Sequence, residues 1–173
     1  MRFGFSWTGL VFLLMLYVPN MLWARRKPEG YDEAAERENR ILLAFERTGE
    51  ALVSALMLFS GDPGPKGAGA RLLWLAAAFM LMLLYEAWWI RYFRSGRTMT
   101  DFYSPILGIP VAGATLPVIA VLLFAAYCRN PLLFVSGVVL GIGHIGIHLC
   151  HRRALGRKAG ADGPENDSFG GEA

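Results

Sequence analysis

The long apolar stretches of this 173-residue chain contain almost no charge. The chain has 17 Lys and Arg and 14 Asp and Glu residues, but only four of them lie within its five apolar stretches, which are 3–24, 41–60, 72–90, 104–127 and 131–150. A soluble domain interleaves charged and apolar residues at the period of a helix or strand, whereas apolar blocks about as long as a bilayer core is thick are typical of membrane spans. The distribution therefore excludes an ordinary soluble fold and predicts a multi-pass membrane protein.

The chain also lacks strand-like alternation, a basic face and cysteines that could pair. The apolar stretches do not alternate as barrel strands do, and backbone amides in lipid must be paired within their own segment, so the sequence predicts an all-α bundle. The net charge is only +3, and the basic residues flank the spans instead of forming one face, which argues against binding of nucleic acid. The only cysteines, Cys128 and Cys150, fall at opposite ends of predicted helices, roughly 30 Å apart and beyond the reach of a disulfide.

The distribution of Lys and Arg predicts the orientation, because cytoplasmic loops are enriched in these residues. With five spans and the N-terminus outside, 12 of the 17 basic residues lie on the inner side and four on the outer side, and Arg47 lies within a span. Without a span at 41–60, the basic residues divide almost equally between the two sides of the membrane, 8 to 9. We therefore expect residues 1–153 to form a five-helix transmembrane domain, with the C-terminus in the cytoplasm, in a plasma membrane or a bacterial-type inner membrane. Residues 154–173 have little apolar content and are predicted to be a disordered cytoplasmic tail.

Polar side chains inside the predicted spans are candidates for function, because each costs free energy unless it faces protein, water or a partner. With a helical rise of about 1.5 Å per residue, they fall mainly in the cytoplasmic half of the bilayer, with Glu50 near the middle and His151 at the interface. The full set is Asn20, Glu46, Arg47, Glu50, Tyr85, Glu86, His144, His148 and His151. We hypothesise that these groups enclose one polar cavity that faces the cytoplasm.

One face of the fifth apolar stretch carries glycines toward the outside and histidines toward the inside. Its residues, within about 80° of one another on a helical wheel, are Gly137, Gly141, His144, His148 and His151. His144 and His148 have the i,i+4 spacing at which two imidazoles can share a metal ion, with a glutamate of a neighbouring helix as a further ligand. A transition metal or haem would then be the cofactor. Alternatively, these histidines handle protons, or they only form hydrogen bonds to carbonyls or glutamates of a neighbouring helix.

The second apolar stretch contains Glu46, Arg47 and Glu50. Two carboxylates at i,i+4 on a membrane helix repel each other, so one must be protonated or a cation must lie between them. The other interpretation is an internal Arg47–Glu50 pair, with Glu46 reaching the interface or bonding to a neighbour. The sequence leaves a proton or cation site and a purely structural ion pair both open.

Prolines are concentrated in the fourth apolar stretch, at Pro105, Pro110 and Pro117. Each proline removes an intrahelical hydrogen bond, so the sequence predicts a bent helix over 104–127 whose freed carbonyls could line the cavity.

Three functions are compatible with these patterns. The first is a small transporter coupled to protons or cations, whose glutamates and histidines exchange protons with a bound solute. The second is a membrane enzyme or cofactor protein, with His144 and His148 as metal or haem ligands and a glutamate as a ligand or general base. The third is an accessory or assembly protein whose helices bind another membrane protein or a second copy of the chain. In each case the lipid bilayer surrounds the helices.

Overall fold

The structure, a computed structural model, describes residues 4–62 and 69–161. Its helices are α1 (Trp7–Ala24), α2 (Tyr31–Ala35), α3 (Arg40–Phe59), α4 (Arg71–Arg94), α5 (Met99–Phe102), α6 (Ala112–Cys128) and α7 (Pro131–Ala161). The described ranges contain no strand, only two isolated bridges, so the all-α prediction is confirmed.

Three of the helices are long and apolar enough to cross a membrane, and they support the membrane class that the composition predicts. They are α1, α4 and the Pro131–Lys158 part of α7. α6 is apolar but has only 17 residues, and the 20-residue α3 carries three charged side chains in its middle. The membrane-crossing role of α3 and α6, and with it the number of five spans, stays a prediction.

One end of the bundle is held together by polar side chains around Asp62, and we call it the Asp62 end. Ser6 Oγ donates to Asp62 Oδ1 at 2.7 Å, and the backbone N–H of Trp7 donates to Oδ2 at 2.9 Å. Asn130 Nδ2 donates to Ser60 Oγ at 2.8 Å. The start of α1, the end of α3 and the turn between α6 and α7 therefore meet here.

The opposite end of the bundle is held together by rings, and we call it the aromatic end. The ring centroids of Trp23 on α1 and Phe102 on α5 are 5.4 Å apart, and those of Tyr31 on α2 and His151 on α7 are 5.7 Å apart. Trp88, near the end of α4, has its ring centroid 5.4 Å from that of Phe102. Together with the contacts at Asp62, these positions show that the five long helices alternate in direction.

Glycines on two faces of α7 allow it to approach both of its neighbours. A Cβ added at Gly143 would collide with the backbone of Glu46 on α3, and one added at Gly137 would lie 2.9 Å from Leu122 on α6. At Gly143 the backbones of the two helices come into contact, and at Gly137 the side chain of Leu122 packs against the backbone of α7. The Gly137 face therefore contacts α6, and the Gly143 face brings α7 against the part of α3 that carries its glutamates.

The predicted helix over 104–127 is wrong at its start, because α6 begins only at Ala112. Pro105 and Pro110 lie in the non-helical segment that precedes it. Proline lacks the N–H that a helix interior needs and disfavours helical geometry in the residue before it, so two prolines five residues apart prevent a regular helix here. Pro117 alone lies inside α6.

The prediction of a disordered tail from residue 154 is wrong for residues 154–161, which continue α7 as a helix. Ala, Leu, Arg and Lys favour helix formation, and Leu155 packs against the buried core. Residues 162–173, the rest of the predicted tail, lie outside the described residues.

Candidate polar cavity

A cavity of about 450 Å³ lies toward the aromatic end, between α1, α3, α6 and α7. Seven of the nine residues singled out from the sequence line it: Asn20, Glu46, Arg47, Glu50, Tyr85, His144 and His148. They come from four helices, so the fold brings these residues to one site. Glu86 and His151 do not line this cavity.

Glu46 and His144 form the central contact of the site. His144 Nδ1 lies 2.6 Å from Glu46 Oε1, and the two side chains are 28% and 16% exposed. Gly143, next to the histidine, permits this distance because its missing side chain lets α7 contact the backbone at Glu46. A neutral imidazole donates its Nδ1–H to the carboxylate, and a protonated one forms an ion pair in the same geometry. The pair can therefore take up or release a proton without losing its hydrogen bond.

Arg47 and Glu50 pair within α3. Arg47 Nη1 lies 3.3 Å from Glu50 Oε2, and the two side chains are 72% and 41% exposed. Glu46 bonds to α7 while Glu50 bonds to Arg47, so each carboxylate has its own partner. This geometry matches the second interpretation of the helix, in which the two glutamates do not share a cation.

Asn20 and Tyr85 connect α1 to α4 in the wall of the cavity. Asn20 Nδ2 donates to the Tyr85 hydroxyl oxygen at 2.8 Å and to the backbone oxygen of Leu16 at 2.7 Å. Tyr85 is only 1% exposed, so this hydrogen bond satisfies a phenol that the protein interior encloses.

Glu86 was expected in the cavity, and the structure places it elsewhere. Successive residues of a helix point about 100° apart, and at this level of α4 it is Tyr85, not Glu86, that lines the cavity. The Glu86 Oε1 atom is buried and has no hydrogen-bond partner among the described residues.

The three histidines of α7 follow one another toward the aromatic end. The rings of His144 and His148 have centroids 4.7 Å apart, and those of His148 and His151 are 6.3 Å apart. A void of about 20 Å³, which is enough space for one water molecule, touches the first two rings as well as Tyr103. His151 Nδ1 lies 2.9 Å from the Tyr103 hydroxyl, and its Nε2 lies 3.4 Å from Glu38 Oε1. His151 and Glu38 both line a second cavity of about 410 Å³.

We call the part of the first cavity nearest the aromatic end its mouth, and this part contains residues that sequence reasoning missed. Trp23, Tyr31 and Phe102 line it, and so do Lys27 and Glu38. The segment before α3 is dense in charge, and its Lys and Arg residues indicate the orientation, but its charge pattern predicts no place in the cavity. Tyr31 is the one aromatic residue within 25–40, and this was the available signal that the segment packs against something.

Burial changes the acidity of two groups at this mouth. Burial and then the negative charge of Glu46 raise the pKa of the Glu38 carboxyl above its ordinary value. Burial and then the charge of Glu38 raise the pKa of the Tyr31 phenol. Both groups therefore lose their protons at a higher pH than they would in water.

The short helix α5 positions the ring of Phe102 through a capping box. The Thr98 hydroxyl accepts a hydrogen bond from Asp101 N at 3.1 Å, and the Thr98 N–H donates to Asp101 Oδ2 at 3.0 Å. The hydrogen bonds from the Thr98 backbone and hydroxyl lower the pKa of the Asp101 carboxyl. The cap stabilises a four-residue helix that would not form by itself.

Few side chains that could ligate a metal ion lie close together. Nowhere in residues 4–62 and 69–161 do three or more His, Cys, Asp or Glu side chains form a group that could hold a metal. His144 and His148 are neighbours, as their spacing predicts, but Glu46 is the only carboxylate bonded to either of them in those ranges. Typical metal sites use three or four protein ligands.

Comparison with known proteins adds no family to this description. No protein-family model, no curated protein and no solved structure matches the chain.

Proposed function

We propose that this chain is a small transporter coupled to protons or cations, with five transmembrane helices and a cavity that opens toward the cytoplasm. The observation that carries the proposal is the Glu46–His144 pair in the wall of the 450 Å³ cavity. Ionisable groups within a membrane bundle commonly mark substrate or proton pathways, because their burial is costly unless it is used.

Charge and the place of the cavity support the proposed orientation. The aromatic end adjoins the basic segments at Arg25–Lys27, Arg91–Arg97 and Arg152–Lys158, and basic segments favour the cytoplasmic side. Large apolar side chains such as Trp7, Leu73 and Met80 are 60–72% exposed and would contact lipid. In this arrangement the chain lies in a plasma membrane or bacterial-type inner membrane, with the N-terminus outside.

The proton would move between Glu46 and His144 when solute binds. Glu46 belongs to α3 and His144 to α7, so a change in the charge of either side chain alters the attraction between the two helices. From His144 a path leads along His148, the water-sized void and Tyr103 to His151 and Glu38 in the second cavity. This path would exchange protons between the cavity and the cytoplasm.

The proposal is tested in proteoliposomes with a pH-sensitive dye trapped inside. Gradients of choline, acetate, alanine, sorbitol and Na⁺ are applied one at a time, and the internal pH is recorded. We expect one class of solute to move protons with the unaltered chain and the Glu46→Gln variant to abolish this movement. Glu86→Gln is the matched control, because Glu86 is also a carboxylate in a long helix but lies outside the cavity. The absence of proton movement with every solute, or full movement in Glu46→Gln, would overturn the proposal.

A further inference from the structure

The charges that line the cavity leave an excess of carboxylate. Glu38, Glu46 and Glu50 line it together with two basic side chains, Lys27 and Arg47. Arg47 pairs with Glu50, so its charge is already balanced by one of these glutamates.

Lys27 is balanced by a carboxylate from outside the cavity. Its Nζ lies 2.6 Å from Asp32 Oδ1, and Asp32 does not line the cavity. In the described ranges, the only ion-pair contacts of Glu38 and Glu46 are with imidazoles, those of His151 and His144. The site therefore has two carboxylates without a permanently charged partner, which favours a positively charged ligand.

The aromatic rings at the mouth already hold an ammonium group. Lys27 Nζ lies 6.0 Å from the ring centroid of Trp23 and 5.9 Å from that of Tyr31. Cations within about 6 Å of an aromatic face are attracted by its quadrupole, and aromatic cages of this kind bind alkylammonium ligands. Phe102 stacks beside Trp23 with an interplanar angle of 22° and extends this apolar, electron-rich surface.

We propose that the cavity binds a small organic ammonium ion, and that Lys27 occupies the Trp23–Tyr31 subsite when the ligand is absent. The ligand's charged head lies between these rings and Glu38, with Glu46 deeper in the cavity. Lys27 is easily displaced, because its side chain is 37% exposed and its partner Asp32 is 75% exposed, and exposed ion pairs are weak. The inference names the substrate class of the proposed transporter, and it depends on the proposed function only where it concerns transport.

Binding is measured by isothermal titration calorimetry on the full chain purified in detergent. The probes are choline and 3,3-dimethylbutan-1-ol, which have the same shape but differ in charge. We expect choline to bind and the neutral alcohol to bind at least about tenfold more weakly, because the alcohol lacks the cation attracted by the rings and carboxylates. Equal affinity for the two probes, or tighter binding of acetate than of choline, would overturn the inference.

Variants at the mouth test the role of Lys27. Lys27→Met removes the competing ammonium and should tighten choline binding several-fold, whereas Arg26→Met, at a neighbouring position that does not line the cavity, should leave it unchanged. Trp23→Leu should weaken binding by about 3- to 30-fold through loss of the ring. Equal effects of Lys27→Met and Arg26→Met would contradict the displacement. A thermal melt of each variant identifies any loss of fold, and Lys27→Met, at an exposed position, keeps the test independent of such a loss.

The binding and transport experiments test the ammonium site and the proposed transport separately. Choline binding without any proton movement in proteoliposomes would leave the ammonium site standing and remove the proposed transport. Glu46-dependent proton movement with another solute class, without choline binding, would remove the ammonium site alone.

Discussion

The carboxylate of Glu46 and the imidazole of His144 lie 2.6 Å apart although 98 residues separate them in the chain. The contact joins α3 to α7 where both helices carry polar side chains and where Gly143 lacks the side chain that would hold them apart. It is both a connection between two helices and an acid–base pair in the wall of the cavity.

Removal of one member of this pair should destabilise the bundle. Glu46→Ala leaves His144 with an unpaired Nδ1, and we expect a loss of about 1–3 kcal/mol in the free energy of unfolding. Thermal or denaturant unfolding in detergent measures it. In a double-mutant cycle, His144→Ala should cost much less in the Glu46→Ala background than alone. Strictly additive effects would show that the two side chains do not interact.

Close packing of α3 and α7 should depend on Gly143. In Gly143→Ala the added methyl meets the backbone at Glu46, so the helices must separate, at a cost of about 1–3 kcal/mol. Gly156→Ala is the control on the same helix, because nothing lies within 4 Å of its added Cβ. That substitution should stabilise the chain by about 0.5–1 kcal/mol through helix propensity. A destabilisation of equal size at both positions would contradict the packing.

The pH dependence of stability should carry a contribution from Glu38. Its pKa is raised in the folded chain by burial and by the charge of Glu46, so the folded state binds the proton more tightly than the unfolded state. This contribution is present in full below the unfolded pKa and is lost as the pH rises through the folded value. The Glu38→Gln variant, which cannot ionise, should lose less melting temperature than the unaltered chain as the pH rises from its ordinary pKa of 4.5. Parallel melting curves for the two chains over that window would refute this.

Glu86 should be dispensable for stability. Its buried Oε1 lacks a hydrogen-bond partner among the described residues, so Glu86→Leu removes an unsatisfied acceptor and a charge from an apolar helix. We expect the free energy of unfolding to stay equal or to rise by about 1 kcal/mol. The free energy of unfolding of Glu46→Leu, measured in parallel, should fall. A marked loss in Glu86→Leu would contradict this prediction.

The depth of the polar residues could be predicted from the sequence, and their rotation could not. Helical rise fixes the height of Glu46, Tyr85 and His144 along their helices, and the structure places all three at one cavity. Whether Tyr85 or Glu86 faces inward depends on how α4 is rotated against its neighbours. Both residues lie in an apolar helix without a marked polar face, so periodicity gave no answer.

The residues that loops contribute to the cavity were even harder to predict from the sequence. Phe102 reaches the cavity because a capping box folds a short helix in the α4–α6 connection, and Lys27 reaches it from the segment after α1. Such contacts depend on tertiary packing and leave no periodic trace. The start of α6 at Ala112 was not predicted either, because Pro105 and Pro110 indicated a bend within a helix and not its absence.

The hydrogen bonds around Asp62 set a condition on any cycle of alternating access. One carboxylate accepts from the Ser6 hydroxyl and from the backbone N–H of Trp7, and so fastens the beginning of α1 to the end of α3. The opposite end is closed by ring contacts and includes the exposed Lys27–Asp32 pair, so the two ends of the bundle are held by different kinds of contact. In the proposed transporter, release of solute to the outside would require this end to open, which would break the hydrogen bonds to Asp62 together with the backbone hydrogen bonds from Gly4 and Ser6 to Phe59 and Leu58.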